Sequence, residues 1–201
     1  MNGLAALGAQ TMRRAPARTG AWAALALAAA LLLACPCAQA DGAATVAEYR
    51  IKAAFLVKFL GFVEWPAAVF ERPDAPFVIG VLGARTVGDE LGHITPTQRV
   101  NGHPVQVRTL VRGEAPAGLH MLFVARPESA QLASLAAAAE GQPLLVVTES
   151  EAGLAAGGTI NFLVLEDKVR FDISLPAAEK AGLKISARLL AVAHAVLPNP
   201  S

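Results

Sequence analysis

Apolar positions recur with a helical period over residues 43–63. At 100° per residue, Val46, Tyr49, Ala53, Leu56, Leu60 and Val63 fall within one arc of about 100°. Ile51, Phe55, Phe59 and Phe62 fall within a second arc of about 80°. Glu48 and Lys52 stand at the i,i+4 spacing that favours an ion pair. A helix with two apolar stripes needs cover on two sides. One cover is the domain's own sheet. The other is a second helix or a partner chain, since large exposed apolar patches mark contacts. Glu64-Trp65-Pro66 ends the helix, because proline disfavours helical geometry in the residue before it.

The pattern then changes to strands. Phe77 to Leu82, Leu119 to Val124 and Leu144 to Thr148 are continuous apolar runs, as in strands buried on both faces. Val105 to Leu110 alternates and reads as half-covered. Gly83 turns the chain, and Thr86-Val-Gly-Asp89 has capping-box character ahead of a helix reaching His93. Pro127 opens a helix to Glu140, which Gly141 closes. Residues 159–165 and 168–174 alternate around Glu166-Asp167 and predict a hairpin. A short helix over 176–181 ends at Gly182, and Ser186 caps a last helix running to Val196.

Strands alternating with helices predict a three-layer α/β domain: a mainly parallel, mixed sheet with helices on both faces. No repeat or low-complexity linker divides residues 41–197. A single domain over 41–201 is therefore expected.

Residues 1–40 look different. They carry Arg13, Arg14 and Arg18 but no acidic residue, then an apolar run from Ala21 to Ala34, then Ala38-Gln39-Ala40. That run is shorter than the ~20 residues a membrane span needs, so it reads as a cleavable signal peptide and predicts a periplasmic protein. A lipoprotein site at Cys35 is the rival reading, poorly matched by Leu33 and followed by Pro36. Setting aside the three arginines of that segment from the 17 basic residues leaves 14 against 16 acidic ones, a net charge of −2. A near-neutral domain does not bind nucleic acid by neutralising phosphates. Both cysteines, Cys35 and Cys37, lie in the signal, which leaves no thiol or disulfide chemistry beyond it.

Little else in the chain carries chemistry. No G-x-S-x-G, H-E-x-x-H, G-x-G-x-x-G or G-K-[ST] spacing occurs. No catalytic residue, metal or cofactor is assigned. His93 and His103 can meet but lack the third ligand that catalytic zinc wants. His120 and His194 read as satisfied structural residues. Gly83 and Arg85, between a strand and a helix start, mark a candidate small-ligand crevice at the carboxyl ends of the strands. Phe55, Phe59, Phe62, Glu64 and Trp65 form a candidate partner-binding surface, with Phe55, Phe59 and Phe62 as an exposed apolar patch. On that reading Phe59→Glu abolishes partner capture and leaves the fold cooperative.

Several segments, in order, resemble the YfiR family of periplasmic proteins. They are Tyr49 to Phe59, Phe62-Val-Glu-Trp-Pro66, Gly157-Gly-Thr-Ile-Asn-Phe162, Val169 to Ile173, and Ala181 to Leu190. The resemblance implies a non-enzymatic, dimer-forming α/β repressor. It would restrain an inner-membrane diguanylate cyclase of the GGDEF type, with an outer-membrane lipoprotein as a further partner. Relatives often carry a cysteine where Leu119 stands here, so their redox control does not transfer. The alternative function is periplasmic small-molecule binding near Gly83, Arg85 and the 148–158 loop.

Overall fold

The computed structural model describes residues 38–70 and 72–198, with side chains from Val46 onward. The expected export signal, including Cys35, Cys37 and the arginine pair, falls almost wholly outside the described residues. From Gly42 on, the chain forms one compact unit.

Helix α1 (Ala38–Phe62) leads into a two-residue strand, β1 (Val63–Glu64). There follow β2 (Phe77–Leu82), α2 (Arg85–Ile94), β3 (Arg99–Val100), β4 (His103–Leu110) and β5 (Met121–Val124). Next come α3 (Leu132–Ala138), β6 (Leu145–Thr148), β7 (Ile160–Leu165), β8 (Lys168–Ser174) and α4 (Leu175–Lys180). The chain ends with β9 (Lys184–Ile185), α5 (Ala187–Leu190) and β10 (Ala195–Leu197). Eight strands form one sheet in the order β10-β8-β7-β6-β5-β2-β4-β3, and β1 pairs with β9 apart from it. Only β7–β8 and β3–β4 are antiparallel within the large sheet.

The expected three-layer α/β architecture is present. Successive residues of a strand face opposite sides. Ile79, Val81, Met121, Phe123, Leu145 and Val147 enter a core with α1 and α2. Their neighbours Leu82, Leu122, Val124 and Val146 enter a second core with Leu132 and Leu135 of α3. Apolar demand on both faces is why these strands read as unbroken hydrophobic runs.

Three expectations need correction. No capping box starts α2: the residue before it is Ala84, and Thr86 lies inside the helix. The helix expected over 127–140 is a 3-10 turn over Arg126–Gln131 followed by α over Leu132–Ala138. The last helix does not reach Val196. Ser186 does cap it, its Oγ accepting the Leu189 N–H at 3.3 Å, but α5 stops at Leu190. The chain then becomes β10, parallel to β8, with the His194 N–H donating to the Phe171 carbonyl at 2.9 Å. His194 therefore leaves the helix and meets Asp172 at 2.9 Å.

The hairpin turn has both central residues left-handed, with Glu166 at φ 48° and Asp167 at φ 57°. Such turns favour Asn-Gly. Glu166→Asn with Asp167→Gly is therefore expected to stabilise the domain by about 1 kcal/mol and raise Tm by about 2–4 °C. An unchanged or lower Tm in a thermal melt counts against this account of the turn.

Candidate functional site

The two stripes of α1 are one surface. On the same 100° projection they span an arc of about 220° together. Its middle is buried: Leu56, Phe59 and Leu60 are fully enclosed. Its rims are open: Val46 is 45% and Ile51 47% exposed. The second stripe is covered by β7 and β8 of the chain's own sheet. Phe59 stacks on Phe162 at 5.7 Å and meets Phe171 edge-on at 5.0 Å. Phe55 joins the same group and remains half-buried, as does Phe62. The expected exposed patch centred on Phe55, Phe59 and Phe62 is thus corrected. Phe59 belongs to the core, and the accessible apolar edge of the helix lies at Ile51.

Lys52 falls in the gap of about 40° between the stripes, so covering both stripes covers it too. It is 1% exposed. Its Nζ sits between the carboxylates of Glu48 and Glu149. Glu149, 4% exposed, follows β6 directly. It also accepts the Arg126 backbone N–H at 3.1 Å, which ties in the end of β5. The Tyr49 ring lies 5.3 Å from the ammonium. Burial, and next the Glu149 charge, push the Tyr49 hydroxyl above its ordinary range. A charge this deep stays ionised only when paired. The i,i+4 spacing points Lys52 to Glu48 alone and carries no sign of Glu149, because that partner lies 97 residues away.

At the other end of α1, the Trp65 indole N–H donates to the Leu60 carbonyl at 3.2 Å, while Glu64 is exposed. Trp65 packs on Phe77 and His120. The His120 Nδ1 accepts the Val78 N–H at 3.1 Å, and its Nε2 is buried without a partner. Burial holds the His120 pKa below its usual 6.5; the Val69 backbone carbonyl, next in size, pulls the other way, and the nearby His103 adds a smaller lowering.

Gly83 and Arg85 are not drawn together into a cradle. A Cβ on Gly83 would meet the Glu128 side chain at 2.5 Å, so that space is already filled. Arg85 is almost fully exposed, 3.9 Å from Asp89. A groove of about 800 Å³ lies instead at the opposite, amino-terminal ends of the strands. Pro66, Ala68, Val69, His120, Pro143 and Gly182 are among its lining residues.

No helix among the described residues is long and apolar enough to cross a membrane. Comparison with curated proteins gives no match. The model of the YfiR/HmsC-like family matches residues 49–194, which takes in the part of α1 that carries Lys52, the sheet up to β10 and the Asp172–His194 contact. That family is regulatory and periplasmic, tied in general to cyclic di-GMP signalling. On this match over most of its length, the chain belongs to the YfiR/HmsC-like family.

Proposed function

We propose that this protein is a periplasmic signalling regulator. It binds and restrains an inner-membrane sensor protein, a diguanylate cyclase of the GGDEF type, through the open rim of α1 and the adjoining Glu64-Trp65 corner. The carrying observation is the apolar rim. Ile51 is 47% exposed, Phe55 is half-buried, and Val164, on the same face of β7 as Phe162, is 45% exposed. Apolar side chains left open beside aromatic ones are the raw material of binding hot spots. The reading includes a homodimer and an outer-membrane lipoprotein as further partners.

Affinity capture from the cell envelope tests it. Ile51→Glu is expected to lower capture of the cyclase at least about tenfold. As a rim substitution it should change stability by no more than about 0.5 kcal/mol. Undiminished capture by a stable Ile51→Glu protein would sink the proposal.

A second reading, small-molecule binding, is favoured by the groove of about 800 Å³ and not by Gly83 and Arg85. Its test is a thermal-shift screen with periplasmic metabolites, since a ligand of the native state must raise Tm.

A further inference from the structure

The turn that follows α1 is held down by two histidines. Ala67–Val69 is a 3-10 turn, closed by the Val69 N–H donating to the Pro66 carbonyl at 3.1 Å. The next residue, Phe70, lies between two imidazoles. Its ring is 3.9 Å from that of His103, at 15°, and 5.1 Å from that of His120, at 21°. Trp65, at the other end of the turn, packs edge-on to His120 at 5.9 Å. Residues Pro66, Ala68 and Val69 of this turn form one wall of the 800 Å³ groove.

This arrangement works with His120 neutral. Its Nδ1 is an acceptor for the Val78 N–H. A proton on Nδ1 would set donor against donor and place a charge where burial disfavours it. Cation–π attraction to Phe70 and Phe77 offsets part of that penalty but leaves the Val78 N–H unpaired. The Val69 carbonyl, on the turn itself, favours the charged ring, but burial outweighs it; the other charges around the ring give no relief. β4 contributes His103. The groove beside the ring carries Arg72, Glu179 and Lys180, and Arg72 pairs with Asp74 at 3.5 Å. Among the described residues no carboxylate hydrogen-bonds His120.

We propose that Trp65–Phe70 is an acid-released strap: protonation of His120 Nδ1 breaks its bond to the Val78 N–H, frees Phe70 from between the histidines, and opens the groove the strap walls. The opened form binds the proton more tightly, with an ordinary histidine pKa near 6.5. Opening is therefore unaffected well above that pH. Below it, opening rises by up to about tenfold per pH unit, until the closed form is protonated as well.

The test is amide hydrogen exchange by peptide on the full chain at pH 7.5, 6.0 and 5.0, corrected for intrinsic rates. A Trp22→Phe background makes Trp65 the sole tryptophan for a parallel fluorescence titration. Protection of 65–70 should fall stepwise with acid while β2 and β5 stay protected. The midpoint should coincide with the His120 titration followed by NMR in the unmutated protein. His120→Gln keeps an acceptor for Val78 and should abolish the step. His103→Gln removes the neighbour that adds to the lowering of the His120 pKa and should move the step to higher pH. A step that survives in a folded His120→Gln protein, a midpoint that departs from the His120 titration, or loss of protection throughout the sheet would overturn the proposal.

Discussion

Lys52→Met is expected to destabilise the domain by about 3–5 kcal/mol, the usual effect of removing one partner from a buried ion pair. For a domain of this size that lowers Tm by about 6–20 °C. Methionine fills most of the volume of the lysine stem, so lost packing is a minor part of the effect. The major part is the Glu149 carboxylate, 4% exposed, left with the Arg126 backbone N–H and no paired cation, since the Arg126 guanidinium reaches the Glu149 backbone carbonyl, at 3.4 Å, and not the carboxylate. Glu48 loses the same partner, but its side chain is 29% exposed and water replaces the ammonium there. The asymmetry predicts the rest of the cycle. Glu149→Gln keeps an acceptor for the Arg126 N–H and leaves Lys52 paired with Glu48, so it is the milder single change. Lys52→Met combined with Glu149→Gln removes both buried charges and should recover about 1–3 kcal/mol relative to the sum of the single effects. Urea denaturation of the four proteins measures this. Strict additivity would mean that Lys52 and Glu149 do not stabilise each other, against the geometry.

That contact also marks the limit of what the chain discloses locally. The strand Phe77–Leu82 was legible to the residue, because burial on both faces makes six apolar residues in a row. The hairpin was legible from its alternation. Gly83, Gly141 and Gly182 all take the positive φ that their places at turns and helix ends required. Each of these signals lies within a few residues of the structure it specifies. The misses have distant causes. The curl of the sheet, which brings Phe162 and Phe171 over the second stripe of α1, is a property of eight strands together. The segment after Leu190 has apolar residues enough for a helix, and became a strand because the edge of β8 was free to pair with it. Lys52 did leave a trace: a cation in the gap of about 40° between two stripes that both need covering cannot stay in solvent. Reading the stripes as one arc would have predicted both its burial and the exposure of Ile51 and Val46.

The candidate surface turns on the same geometry, and Phe59 is the residue that decides it. Phe59→Ala is expected to destabilise by about 3–5 kcal/mol, as for other fully buried phenylalanines. The ring is wholly enclosed and makes three aromatic contacts, with Phe55, Phe162 and Phe171 between 5.0 and 5.8 Å. Each such pair contributes about 0.5–1.5 kcal/mol beyond the area it buries. Phe59→Glu should be worse, since it adds an unpaired carboxylate to the lost packing. The expectation that Phe59→Glu leaves the fold intact is thereby reversed, and loss of partner capture in that variant would report unfolding. Ile51 lies eight residues away on the same helix, and its substitution is expected to leave the denaturation midpoint nearly unchanged. Chemical denaturation of the Phe59→Ala and Ile51→Glu proteins separates the two roles before any partner is added. If Phe59→Ala were as stable as the parent, its stripe would face outward and α1 would present its aromatic side to a partner. If Ile51→Glu unfolded the domain, the rim would be core, and no apolar edge of α1 would remain for a sensor protein to grip.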